Sequence, residues 1–226
     1  MNATIVSLQF VFFFKDVIDR PDILFADLNI KMANTFDAMP VITPTPLGFA
    51  PEIPMIYHRS ESNEFACNIS KNRLDFFVQR TSDTKSNEGI LSDFIIKTRT
   101  LSDYIINKKE IIRFGMIGRC FIEDKTAIDS LKRRYFVAKK LPTNISELGL
   151  KFNNQSDFFG LKINDIIEIS SDYMVINDNR KFGIFIQQDI NNVPLEGVVL
   201  TTKNLEEVFN THSNFLSDEK IKGFVK

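Results

Sequence analysis

The sequence predicts an α+β fold: a curved, mainly antiparallel sheet with helices packed on one face. Two observations lead there. Residues 4–107 read as strand, helix, three strands, helix, and residues 111–217 read in much the same order again. The strands that open the two halves, 4–14 and 111–122, each alternate between an apolar parity and a mixed one. A sheet with one apolar side buries that side under helices and leaves the other open to a partner. The chain thus reads as two β-α-β(3-4)-α pseudo-repeats, 1–109 and 110–226, in one compact unit.

In the first half, Val6, Leu8, Phe10, Phe12 and Phe14 share one strand face, and Ile5, Ser7, Gln9, Val11 and Phe13 share the other. Asp19-Arg20-Pro21 marks a helix start, and Phe25, Leu28, Met32 and Phe36 recur at helical spacing, predicting a helix over 21–36. Pro40, Pro44, Pro46, Pro51 and Pro54 exclude a helix or central strand, so 40–54 reads as a long ordered loop, a candidate lip over a binding face. Strands follow at 55–59, 64–70 and 73–80, the last two joined by a Ser70-Lys71-Asn72 turn. After a polar linker at 81–88, a helix over 89–107 carries Leu91, Phe94, Ile95, Thr98, Leu101 and Ile105 on one stripe.

The second half opens with the clearest strand. Ile112, Phe114, Met116, Gly118, Cys120 and Ile122 form one parity, and Ile111, Arg113, Gly115, Ile117, Arg119 and Phe121 the other. Its two glycines fit no phosphate-binding loop and read as a bulge or bend. A short helix is predicted over 125–136, irregular structure over 142–156, and strands at 160–169, 172–176, 181–188 and 196–201. Asn177-Asp178-Asn179 is a turn signal. Leu205, Val208, Phe209, His212 and Leu216 mark a terminal helix, and the lysine-rich last ten residues read as frayed.

Composition narrows function mostly by exclusion. With 43% hydrophobic and 25% charged residues over 226 positions, the chain reads as globular, and a net charge of −1 supplies no global field toward nucleic acid or anionic lipid. No stretch nears the roughly 20 apolar residues of a membrane span, so no membrane partner is expected. The opening segment lacks a basic n-region and a small-residue cleavage site. Cys67 and Cys120 read as reduced core thiols. A cytoplasmic location follows as the expectation.

No catalytic motif, metal-ligand spacing or cofactor fingerprint is present, so no catalytic residue, metal or cofactor is assigned. Strand parity instead gathers Ser7, Gln9, Asn68, Arg73, Asp75, Gln79, Arg113 and Arg119 on the face away from the helices. Arg113 and Arg119 there suit a carboxylate or phosphate, although an ordinary solvated face has the same composition. His58, after the proline-rich loop, is a further ligand-contact candidate. Lys132, Arg133, Arg134, Lys139 and Lys140 form a basic cluster, read as the solvated side of a short helix or as an anion or nucleic-acid patch.

The duplicated strand–helix–strands–helix order resembles the topology shared by TATA-binding protein and the helix-grip ligand-binding proteins. At residue level, Arg113-Phe-Gly-Met-Ile-Gly-Arg-Cys-Phe-Ile122 with Asn72-Arg-Leu-Asp-Phe-Phe-Val78 resembles a sporadically distributed family of uncharacterised bacterial proteins. Cys120 and Phe121 depart from that family's pattern. The resemblance implies a bacterial accessory protein and no reaction. Three functions are expected in turn: a non-enzymatic protein that binds a protein or small anionic ligand on its open sheet face; a nucleic-acid-binding component using the basic cluster; and a hydrolase built on His58.

Overall fold

Alternating β-branched and aromatic residues make Ala3–Phe14 a twelve-residue strand, β1. The computed structural model describes residues 3–44, 48–82, 84–137, 141–142, 144–176 and 179–225. After β1 come α1 (Pro21–Leu24), α2 (Leu28–Lys31), β2 (Val41–Ile42), β3 (Ile56–Arg59), β4 (Phe65–Ile69), β5 (Arg73–Gln79) and the long helix α3 (Asn87–Ile106). The second half runs β6 (Ile111–Glu123), α4 (Ala127–Tyr135), β7 (Gly149–Phe158), β8 (Leu161–Ile176), β9 (Asn179–Asn192), α5 (Thr202–His212) and α6 (Asp218–Val225).

The nine strands join in one curved antiparallel sheet ordered β2-β3-β4-β5-β1-β6-β9-β8-β7. The α+β class, the antiparallel sheet and its helices thus stand as the sequence predicts. β1 and β6 lie side by side at the centre, each carrying the later strands of its own half outward.

The apolar parities converge on one side. Leu8, Phe10 and Phe12 face Val78, Phe76 and Leu74 of β5, and Gly118, Met116 and Phe114 of β6. Helices cover this side. Phe94 of α3 stacks on Phe76 at 6.3 Å, and Phe209 of α5 reaches Phe10 at 5.3 Å. Phe25 lies 5.8 Å from Phe14, and Tyr135 of α4 lies 5.6 Å from Phe152 of β7. Burying a ring such as Phe10, Phe76, Phe94 or Phe209 contributes about 1.5–3 kcal/mol, so the one-sided apolar pattern decides where helices go.

Several local expectations give way to the structure. A bulge between Ile5 and Ser7 turns Ile5 into the core opposite Cys120, away from the Ser7 parity. Over 21–36 the chain forms two single turns, because Ala26 N and Leu28 N donate to Ile23 O and Phe25 O, three residues back. Its apolar stripe is still buried, and positive φ at Ala33 and Asn34 ends the helical turns. Val41–Ile42 of the proline-rich loop pair with β3 as an edge strand; Pro46 lies outside the described residues.

In the second half, the irregular segment expected over 142–156 is overlapped from Gly149 on by β7. Most of its side chains are exposed on both faces, so it has no apolar alternation to detect. The runs 160–169 and 172–176 fuse into one strand, β8, since Ser170 and Ser171 keep their pairing with Phe185 and Ile184. The turn at Asn177-Asp178 lies outside the described residues. The strand expected at 196–201 reduces to a single bridge between Leu200 and Ile111.

The terminal residues expected to fray form α6, anchored by buried Ile221 and Val225. The central glycines mark no bulge, because the β6–β9 register runs unbroken from Gly115 to Glu123. Gly118 instead lies beneath Phe215 and Leu216, where a Cβ would overlap their side chains.

Candidate binding face of the sheet

Cross-strand register fixes which side chains meet on the side away from the helices. Arg73, Phe13 and Arg113 stand opposite one another on β5, β1 and β6. The Arg73 guanidinium lies 5.5 Å from the Phe13 ring centroid and that of Arg113 5.1 Å, so one aromatic ring serves two cations. The next rung holds Asn68, Asp75, Val11, Gly115, Asn191, Asn164 and Gln155. Asp75, Val11 and Asn191 are 2–3% exposed although no helix among the described residues packs on them.

Asp75 is the electrostatic centre. Its carboxylate accepts from Arg73 Nε at 2.8 Å, Arg73 Nη2 at 2.5 Å and Gln9 Nε2 at 2.9 Å. A fork of this kind saturates most of what Arg73 offers an outside anion. Arg119 is engaged too, donating through Nε to Gln187 Oε1 at 2.8 Å. Arg113 differs: its Nε is buried and has no acceptor, and no carboxylate pairs with it among the described residues. Arg113 and Arg119 are six positions apart on one strand, about 20 Å at the usual rise, so they do not grip one small anion together.

Toward β7 the face becomes an amide ladder. Gln155 Nε2 donates to Asn164 Oδ1 at 2.9 Å, Asn164 Nδ2 to Asn191 Oδ1 at 3.1 Å, and Asn191 Nδ2 to Asp189 Oδ1 at 3.0 Å. Sequence reading missed these residues, and it missed Phe13 as the platform between two arginines. The signal was present for Phe13, which shares the mixed parity with Ser7 and Gln9. For the ladder it was absent, because β7 has no apolar parity from which to infer a face.

His58 is not brought to this set. It pairs with Cys67, which pairs with Phe76, so all three point to the helix side. Its ring lies 5.6 Å from Phe36, and burial lowers its pKa. Cys67 is fully buried, and burial pushes its thiol well up, with Asp75 adding to the effect. A thiolate nucleophile needs the opposite shift.

The proline-rich loop is tied to the sheet end that carries Arg73, since Lys71 N donates to Pro51 O at 3.0 Å. Lys132, Arg133 and Arg134 of the basic cluster sit on α4, which packs near β8, β9 and α6. Lys132 lies 4.0 Å from Asp129, and Arg133 Nη2 lies 3.5 Å from Ser130 Oγ. Arg134 Nη2 donates to Gly223 O at 2.9 Å, while the Tyr135 hydroxyl donates to Phe224 O at 2.5 Å. Part of the cluster therefore fastens α6; Lys139 and Lys140 lie outside the described residues.

Among the described residues no group of three His, Cys, Asp or Glu side chains is placed to hold a metal, and no helix is long and apolar enough to cross a membrane. No protein-family model and no curated protein matches the sequence. Among solved structures, the TBP of Methanococcus jannaschii is similar to this chain at 12% identity over 99% of both chains, with a TM-score of 0.25. At that score the description of the fold rests on the strand order and register alone.

Proposed function

We propose that this protein is a non-enzymatic binding protein whose helix-free sheet face receives an anionic group, the carboxylate or phosphate of a small ligand or of an acidic partner protein. One observation carries the reading. Arg113 lies against the Phe13 ring with its Nε buried and unpartnered, whereas Arg73 and Arg119 on the same face already donate to Asp75 and Gln187. A buried donor without an acceptor costs about 1–3 kcal/mol, and an oxyanion that draws the Arg113 side chain outward relieves that cost. Arg73 and Asp75 then hold the shape of the face, and Arg113 makes the capture. The resemblance of its central strand to an uncharacterised bacterial family suggests a bacterial accessory protein as the setting. Nucleic-acid capture by α4 has less support, because Arg134 is engaged by α6.

The arginine Nε–Hε resonances of isotopically labelled protein test this directly, titrated with inorganic phosphate and with citrate. The Arg113 resonance should move saturably, and the response should vanish in Arg113→Ala with the backbone spectrum otherwise retained. An Arg113 signal that stays still up to roughly 10 mM of either probe, well beyond a millimolar dissociation constant, would overturn the reading.

A further inference from the structure

The two edges of the sheet are built in opposite ways. β2 closes one edge with two residues, flanked by Pro40 and Pro44. β7 closes the other with ten residues, no proline, and an unbroken ten-pair register against β8. Among the described residues no strand pairs with its outer side, and Lys151 through Asp157 are all exposed. Proteins blunt such edges with short strands, prolines, bulges or covering elements. β2 is blunted. Among the described residues β7 has none of these devices, and it carries only one lysine.

The side chains of β7 select a partner. An antiparallel neighbour must place residues of equal parity opposite each other, because Phe152 shares the helix-covered side with Ile167 and Asn153 the open side with Ile166. For a second copy of this chain, consider the register with Asn154 opposite its own counterpart. Lys151 then meets Asp157 and Asp157 meets Lys151, while Leu150 meets Phe158 at both ends. A shift by two positions either way sets Lys151 against Gln155 or Phe159 and loses both ion pairs. Asp157 has no ion pair within the chain among the described residues; Lys151 spends one donor on Glu168 at 2.5 Å and keeps others.

We propose that β7 pairs with β7 of a second copy of this chain in that register, about a two-fold axis at Asn154. The two sheets then run on as one, with about one main-chain hydrogen bond per residue pair at the seam. The seam is distinct from the Arg113 site, so neither stands or falls with the other.

Sedimentation equilibrium on the full chain tests the seam. The native chain should dimerise. Lys151→Glu and Asp157→Lys, each folded by circular dichroism, should raise the dissociation constant about tenfold or more, because both attractive pairs become repulsive. An equimolar mixture of the two variants should recover native affinity, since every cross-strand pair is again opposite in sign. Independently of any variant, hydrogen exchange at the 149–158 amides of the native chain should slow as protein concentration rises. A native chain monomeric at roughly 1 mM would overturn the proposal. So would a mixture no tighter than its components, or exchange at these amides indifferent to concentration.

Discussion

Gln9 on β1 donates through Nε2 to Asp75 Oδ1 on β5, 2.9 Å away, on the side of the sheet that carries no helix. The same carboxylate, 2% exposed, holds the Arg73 fork. Replacing Asp75 by Ala strands a guanidinium and an amide in an enclosed row. We expect a loss of about 2–4 kcal/mol, read from the midpoint of urea unfolding. Asp75→Asn, which keeps an acceptor for Gln9, should lose less. A loss below about 1 kcal/mol for the alanine variant would contradict this account of the row.

Two glycines predict different costs for the same added methyl. At Gly183 a Cβ overlaps the Ile122 carbonyl and comes within 2.6 Å of Phe121 Cζ. That carbonyl belongs to a paired central strand and has nowhere to go. At Gly118 the overlap is with the Leu216 side chain, and Phe215 Cε2 lies 2.8 Å away, so the C-terminal turn can shift. Gly183→Ala should cost about 3 kcal/mol and Gly118→Ala about 1–2 kcal/mol by chemical denaturation. Gly149→Ala, with nothing within 4 Å, is the control and should be near neutral.

Asp27 predicts an acid limb in the stability profile. Its carboxyl is depressed to about 2 from 3.8, first by the Lys108 ammonium at 2.8 Å and then by the Tyr104 hydroxyl at 2.5 Å. Because the folded pKa lies below the unfolded one, the contribution is fully present above pH 3.8 and disappears as pH falls through about 2. The thermal midpoint should drop across that window. Asp27→Asn should flatten this part of the profile and leave the rest in place; an unchanged slope would remove Asp27 as its source.

α5 depends on a reciprocal cap. Thr201 Oγ1 accepts from Asn204 N at 3.2 Å, and Asn204 Oδ1 accepts from Thr201 N at 3.0 Å. Thr201→Ala should destabilise the protein by about 1 kcal/mol. Thr201→Ser keeps the hydroxyl and should restore most of that, as a thermal melt would register.

What could be read in advance follows from burial. β1, β5, β6 and α3 pack one side against apolar neighbours, so Phe10, Phe76, Phe114 and Phe94 imprint a period on the sequence. β7 packs little on either side and leaves no period, and its polar run reads as irregular. α6 was obscured differently: its two anchors, Ile221 and Val225, are spaced one turn apart among lysines. On the candidate face, parity places Arg73, Asp75, Arg113 and Arg119 on one side, as the strand register does. It also placed Ile5 with them, because a bulge one residue long reverses parity without altering composition. His58 was assigned by its place after the loop, and strand register sends it to the opposite side.

β1 is the earliest strand of the chain, yet its two neighbours are β5 and β6. During synthesis the strands through β5 can assemble with β1, but the far side of β1 keeps its hydrogen bonds unmet until β6 has been made beyond α3. Pairings so distant along the chain close slowly. The half-built protein therefore carries a raw, phenylalanine-rich seam for the time that α3 and β6 take to emerge. Any factor that slows elongation in that interval prolongs the exposure, and aggregation of nascent chains is the hazard this topology creates.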